Sequence, residues 1–370
     1  MIGSRLAACV ASVLVLTAAP VQGAEPAWAA DGVRAAQWHL AAVDAGKAHR
    51  ISLGAGVTVA LVDTGVEAGH DDLAGAVLPG VDLFPDPLGD GRDDIDGHGT
   101  EMAGIIAGRG HGGRTGVLGI APAAMILPIR GPIKNMATSE FLTRAVAFAR
   151  ERGAGVVNMS FGTGDTDVLR AAVRAAVAAD MVVVAASGNV GSGAGEFPGR
   201  YPEVVTVGAV GRTGKVAHFS VTGPQVDLTA PGVDIVTTGI GRTGYYRGSG
   251  TSEATAVVSG AAALVRAAYP ELNAAEVVRR LTVTAADAGR PGRDDTYGFG
   301  RLDLVRALTA DVPRLDRQKP QIATVRPTAE TAAGPAPKRV PPLVVTGIAA
   351  AAVVLAGAVI VVVMLARRRD

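Results

Sequence analysis

The run Val57-Thr58-Val59-Ala60-Leu61-Val62, followed by Asp63-Thr64-Gly65, decides the fold class of this chain. It is apolar, rich in β-branched residues and free of charge, which is typical of a strand buried on both faces of a parallel sheet. Met181–Ala186 has the same character. Helical periodicity predicts four helices, over Thr138–Arg152, Leu169–Ala179, Thr255–Tyr269 and Ala274–Leu281. Alternating strands and helices predict an α/β domain with a mainly parallel central sheet.

The composition narrows the classes of protein that this chain can belong to. Of its 370 residues, 48% are hydrophobic and 19% are charged, which excludes disorder as the main state. Lys and Arg number 35 against 34 Asp and Glu, so the basic excess of a nucleic-acid binder is missing. The single cysteine, Cys9, excludes an intramolecular disulfide and a thiolate-based structural zinc site.

The beginning of the chain has the features of a secretory signal. Arg5 supplies a positive charge, and Leu6–Ala19 forms the apolar region that follows it. We therefore predict a signal peptide over residues 1–24 and a short leader segment over residues 25–36. An uncleaved membrane anchor is the alternative interpretation of the apolar region.

The end of the chain predicts a membrane span. Residues 343–366 carry no charge, and at 1.5 Å per residue they can cross a hydrocarbon core of about 30 Å. Three arginines begin the tail 367–370, which the positive-inside rule places in the cytoplasm. Residues 311–342 contain seven prolines and predict an extended linker. Residues 37–310 remain as one globular domain.

Three side chains with catalytic potential stand at the places where an α/β sheet binds its ligands, beyond the carboxyl ends of strands. Asp63 closes the first strand, His98 lies between two glycines in Gly97-His98-Gly99, and Ser252 comes just before the third predicted helix. Each has a structural alternative, as a turn former, a surface histidine or a helix cap. The other five histidines are interpreted as surface residues.

Asn189, after the strand Met181–Ala185, offers a neutral side-chain amide donor. The backbone N–H of Ser252 and the positive end of its helix offer a second donor and a favourable dipole. Together they have the character of an oxyanion hole. Turn formation is the alternative for Asn189.

As a set, these segments resemble the subtilisin-like serine proteases over most of residues 37–310. The matching signatures stand in the family's order, as Val62–Gly65, Gly97–Thr100, Asn158–Gly162, Ser187–Asn189 and Gly250–Ser252. The resemblance implies that Ser252 is the nucleophile, His98 the general base and Asp63 its orienting partner. It also implies that Asn189 and the Ser252 N–H bind the oxyanion.

The same resemblance implies a substrate-binding cleft. Ser160-Phe161-Gly162 would pair with the substrate backbone, and Ser187 and Gly188 would line the cleft. Glu196 would lie near the base of the S1 pocket, where a carboxylate would favour a Lys or Arg at P1. The alternative for Glu196 is a solvated loop carboxylate.

The layout of signal peptide, subtilase domain, proline-rich linker and terminal span resembles the mycosins, as does Gln37-Trp38-His39-Leu40. Mycosins are membrane-anchored subtilases associated with type VII secretion. The resemblance implies an endopeptidase with polypeptide substrates, anchored in the cell membrane with its catalytic domain outside. The balanced charge predicts no nucleic-acid partner. The alternative is a scaffold that stabilises a secretion complex, with catalysis dispensable. An α/β-hydrolase is excluded because its Gly-x-Ser-x-Gly elbow and its Ser…Asp…His order are missing.

Three positions depart from the subtilase pattern. Glu101 stands where many members have a second His, Glu253 where Met, Phe or Tyr is usual, and Ala256 where Pro is common. An anion at Glu253 is expected to oppose the developing oxyanion and so to slow turnover. The acidic loop Asp90–Asp96 lacks EF-hand spacing and predicts a solvated turn, with calcium as the alternative. No cofactor is predicted.

Overall fold

The computed structural model describes residues 30–315 apart from positions 86, 88, 113–114, 133–137 and 193–196. The predicted signal peptide, membrane span and tail lie outside these residues, as does most of the linker, so these assignments stay predictions. Within the described residues, no helix has both the length and the apolar character needed to cross a bilayer.

The strands form one large parallel sheet and two small antiparallel pairs. In chain order they are β1 Thr58–Asp63, β2 Val81–Asp82, β3 Arg109–His111, β4 Thr115–Leu118, β5 Met125–Arg130, β6 Val156–Met159, β7 Val182–Ala186, β8 Val205–Val210, β9 Leu228–Pro231, β10 Ile235–Thr238 and β11 Tyr245–Gly248. The large sheet has the order β2-β5-β1-β6-β7-β8-β9, and its described ladders are all parallel. The small pairs are β3–β4 and β10–β11.

The helices complete a three-layer architecture. They are α1 Ala30–Ala36, α2 Trp38–Ala42, α3 Ala45–Ala48, α4 His98–Ala107, α5 Ser139–Glu151, α6 Asp167–Ala178, α7 Thr251–Ala268, α8 Ala274–Val283 and α9 Leu304–Thr309. The predicted α/β fold with a mainly parallel sheet is confirmed. Of the four predicted helices, which correspond to α5–α8, the third differs most, because α7 begins at Thr251 rather than Thr255.

The two faces of β1 show how the layers are divided. Val59 and Leu61 belong to the core that α4 and α7 cover, whereas Ala60 and Val62 belong to the core that α5 and α6 cover. Successive side chains of a strand point to opposite faces, so an apolar run is needed when helices cover both. α4 and α7, which begin at or near His98 and Ser252, therefore pack on the same side of the sheet.

The described part of the predicted leader packs against the domain. Val33 of α1 is fully buried in a small apolar cluster with Val117 of β4 and Val236 of β10. Arg34 Nε donates to the Gly116 carbonyl at 2.9 Å. Residues 30–36 thus contribute to the folded body, although the sequence pattern placed its beginning at residue 37.

Two histidines that were expected at the surface are buried. His39, on the inner face of α2, is fully inaccessible, and this burial lowers its pKa to about 3. His70 is 1% exposed, and its Nδ1 accepts a hydrogen bond from the Asp72 N–H at 3.0 Å. For His70 the surface interpretation failed because distant residues cover the ring: its Nε2 lies 2.8 Å from the Gly244 carbonyl oxygen and the ring packs against Tyr245.

Candidate active site

Asp63 and His98 form a hydrogen-bonded pair at the carboxyl end of β1. Asp63 is the last residue of the strand, and its side chain is fully buried. Its Oδ1 lies 2.7 Å from His98 Nδ1 and accepts a further hydrogen bond from the Thr64 N–H at 2.8 Å. A carboxylate on Nδ1 requires the proton there, which leaves Nε2 free to act as a base.

A buried aspartate anchors the helix that carries His98. Both Asp94 carboxylate oxygens are occupied: Oδ1 by the N–H groups of Asp96 and Gly97, Oδ2 by the N–H and hydroxyl of Thr100. Asp94 is 8% exposed, so the expectation that the whole of Asp90–Asp96 is a solvated turn is wrong at this residue. These bonds satisfy donors at the start of α4. They hold the start of α4, and with it the His98 side chain, in place.

The glycine after His98 lets the His98 loop approach β1. A Cβ at Gly99 would lie 1.9 Å from the Gly65 carbonyl oxygen, which no side chain could tolerate. The Gly99 N–H also donates to Thr64 Oγ1 at 2.9 Å. The two motifs that hold Asp63 and His98 are therefore held together by a close backbone contact and by a hydrogen bond to the Thr64 side chain.

Ser252 lies in the first turn of α7, after Gly250 as the N-cap residue. It is therefore not the helix cap that its sequence position suggested. Its Oγ donates to the Ser160 carbonyl at 3.1 Å, and among the described residues no hydrogen bond joins it to His98. Such bonds are often unformed in a free enzyme and close with substrate. A rotation about χ1 would redirect the hydroxyl.

Asn189 is held in one orientation by the start of α7. Its Oδ1 accepts hydrogen bonds from the Thr251 N–H at 3.0 Å and from the Thr251 hydroxyl at 3.1 Å. Since an N–H can be met only by the carbonyl oxygen, the amide NH₂ is turned away from Thr251. At the second position of α7, the Ser252 N–H has no acceptor within the helix. The two donors that an oxyanion hole needs thus stand beside Ser252.

The segment expected to bind the substrate backbone follows β6, which ends at Met159. Ser160 and Phe161 are buried and Gly162 is half-buried, and Ser160 Oγ accepts from Asn158 Nδ2 at 2.8 Å. Ser160 meets Ser252 through both its carbonyl, which accepts from Ser252 Oγ, and its hydroxyl, which donates to the Ser252 carbonyl at 3.4 Å.

The remaining residues predicted to bind substrate differ in their surroundings. Ser187 is 1% exposed, so its hydroxyl is covered, while Gly188 beside it is half-buried. Glu196 lies outside the described residues, and its place in the S1 pocket stays a prediction.

The electrostatics of the site are dominated by carboxyl groups around His98. Burial lowers the pKa of His98, but the charge and hydrogen bond of Asp63, together with Glu101 and Glu253, prevail and raise it to about 9. Burial raises the pKa of Glu101 to about 8, with nearby carboxyl groups adding to the effect and His98 opposing it. Burial likewise raises the pKa of Glu253. In the sequence, both glutamates stand out only as departures from the subtilase pattern.

Comparison with known proteins agrees with this geometry. Mycosin-1 of Mycobacterium tuberculosis is 35% identical over 84% of this chain and 81% of its own length. Subtilisin DY of Bacillus licheniformis is 37% identical over 67% of this chain and 88% of its own. The structure of the MycP3 protease from the type VII (ESX-3) secretion system matches with a TM-score of 0.66 and 36% identity, over 74% of this chain and 88% of that one.

The pattern of the Subtilase family, peptidase S8, matches residues 54–300, from just before β1 to just before α9. That range contains Asp63, His98, Asn189 and Ser252. The chain belongs to the subtilase family of serine peptidases.

Proposed function

We propose that this subtilase is an active, membrane-anchored endopeptidase that cleaves polypeptides outside the cytoplasm. The observation that carries the proposal is the buried Asp63–His98 hydrogen bond, located on the side of the sheet where α7 presents Ser252. His111 pairs with the buried Asp72 through Nδ1 in the same way, so what distinguishes His98 is that its pair lies on the side of the sheet where Ser252 begins α7. The alternative, a scaffold without catalysis, does not require Asp63, His98, Asn189 and Ser252 on that one side of the sheet.

The proposed reaction proceeds through an acyl-enzyme. Ser252 Oγ attacks the scissile carbonyl while His98 Nε2 takes its proton, and His98 then gives that proton to the leaving amine. Asp63 holds the imidazole in place and stabilises the imidazolium. The oxyanion accepts hydrogen bonds from the Asn189 amide and the Ser252 N–H, where the dipole of α7 favours negative charge. A water molecule then hydrolyses the acyl-enzyme by the same steps.

Likeness to mycosins supports the setting of this activity. MycP1 and MycP3 are described as proteases of type VII secretion systems, and we assign this chain a corresponding place. The uncharged residues 343–366 would anchor it in the membrane, with the domain outside.

Our hypothesis for substrate specificity is that Glu196 favours Lys or Arg at P1. Profiling wild type and Glu196→Gln on a P1-varied peptide library would test it. An unchanged P1 ranking in Glu196→Gln would reject it.

A serine-directed fluorophosphonate probe separates the enzyme from the scaffold. The full chain should be labelled covalently, and Ser252→Ala should not, because the probe reacts only with an activated hydroxyl. Labelling is read as in-gel fluorescence, with Ser249→Ala from the same loop as the matched control that keeps its label. If wild type and Ser252→Ala remain equally unlabelled while both are folded, the scaffold interpretation replaces the enzyme.

The membrane orientation can be tested on intact cells. The arginines after residue 366 predict a cytoplasmic C-terminus and an external domain, because positively charged flanks stay inside. Protease added to cells stripped of their outer layers should digest the domain and spare a C-terminal tag, as read by immunoblotting. A digested tag with a protected domain would reverse the proposed topology.

A further inference from the structure

Two carboxyl groups outside the triad flank His98 from different elements. Glu101 follows His98 by three residues on α4, a spacing that puts both side chains on one face of the helix. Glu253 follows Ser252 on α7. Neither glutamate has a role in the reaction proposed above, and burying a carboxyl group is costly unless it is neutral or paired.

The packing of Glu253 fixes it beside the nucleophile. The residue is 6% exposed. A Cβ at Gly248 would lie 2.2 Å from its Oε1, and one at Gly250 would lie 2.7 Å from its Oε2. The carboxyl group therefore rests on the glycine-containing turn that leads into α7. It acts electrostatically on both His98 and Glu101.

The charges that act on the imidazole come from three elements. Asp63 faces it from β1, Glu101 from its own helix and Glu253 from α7, while Asp94 in the preceding loop acts on Glu101. All four are carboxyl groups. When ionised, each favours the imidazolium over the neutral imidazole.

On the basis of the proposed peptidase function, we propose that Glu101 and Glu253 are positioning residues that, in their ionised forms, hold the proton on His98 and so set the acid limit of catalysis. An ionised glutamate stabilises protonated His98, and a neutral one does not. Burial raises the pKa of both glutamates. Because both also act electrostatically on His98, the three groups take up protons as a coupled set. Replacing either glutamate by Gln can only reduce the protonated fraction of His98 at a given pH.

The pH dependence of kcat/KM provides the first test. With a peptide substrate that has no ionisable group, the acidic limb reports the protonation of the free enzyme's base. We expect the limb of Glu101→Gln/Glu253→Gln to lie about one pH unit below that of wild type, which is about tenfold in relative kcat/KM on the acidic side. Each single variant should move it part of the way.

The matched control is Glu276→Gln, since Glu276 is also buried (5% exposed) but lies on α8 in a capping box. The acidic limb of its kcat/KM profile should have the same midpoint pH as that of wild type. A limb that stays in place in folded Glu101→Gln and Glu253→Gln would overturn the proposal.

A second measurement does not need activity. In full-length Ser252→Ala, the His98 imidazole can be titrated by NMR, with and without the Gln substitutions. The titration midpoint should fall by about one unit when both glutamates are replaced. An unchanged midpoint overturns the role of the glutamates, whether or not the chain proves to be a peptidase. If the wild-type protein shows no cleavage that depends on Ser252 while the His98 midpoint shifts as expected, only the proposed function is refuted.

Discussion

Removing the Ser252 hydroxyl is expected to lower kcat by about 10⁶-fold, and removing the His98 imidazole should cost about as much. That magnitude is the value measured for subtilisin, a member of the same family. The physical reason is that nucleophile and base act in one proton transfer. When either residue is lost, the other can no longer take part in that proton transfer. The kcat of Ser252→Ala/His98→Ala should therefore be little lower than that of either single variant.

Steady-state cleavage of a peptide library measures this effect. Ser249→Ala is the matched control, because Ser249 lies in the same loop and its Oγ accepts from the Asp234 N–H at 2.8 Å. It should retain its turnover. Ser252→Ala with near-wild-type kcat would remove Ser252 from the mechanism. Losses that simply add in the double variant would mean that the two residues act independently.

Replacing Asn189 is expected to have the second largest effect. Asn189→Ala removes one of two oxyanion donors and should lower kcat by about 10²–10³-fold with little change in KM, since charge develops on that oxygen only in the transition state. This figure, too, is the one measured for subtilisin. It would be a loss of transition-state stabilisation rather than of substrate binding.

Asn189→Asp makes the test sharper. An aspartate keeps an acceptor for the Thr251 N–H and hydroxyl but turns a second carboxylate oxygen, rather than a donor, toward the oxyanion. If Asn189 mattered only by holding the start of α7, Asn189→Asp would keep its kcat. We expect it to lose at least as much as Asn189→Ala.

The control for Asn189 is Asn273→Ala. Asn273 caps α8 through the Glu276 N–H at 2.9 Å, so its replacement should cost about 1 kcal/mol of stability while leaving kcat unchanged. A comparable loss of kcat in Asn273→Ala would mean that the Asn189 effect reflects stability. A raised KM with an unchanged kcat in Asn189→Ala would instead make Asn189 a substrate-binding residue.

The local patterns predicted the sheet and the placement of the motifs. A charge-free β-branched run can be satisfied only where both faces are covered, and β1 and β7 are such strands. Asp63 ends the first of these strands, as its position after the apolar run predicted. These features depend on residues adjacent in the chain, so the sequence alone determined them.

The environment of the site was decided by the tertiary structure. In the sequence Asp94 is one acid of an acidic loop, and its hydrogen bonds to Thr100 accompany its burial. His70 is buried against Gly244 and Tyr245, which lie far away in sequence. The start of α7 at Thr251 depends on Asn189, 62 positions earlier. Burial and the pKa shifts that follow from it depend on which elements pack together, and no local window of sequence contains that information. The sequence determined which groups could react; the packing decided which of them are buried together and therefore how readily His98 holds its proton.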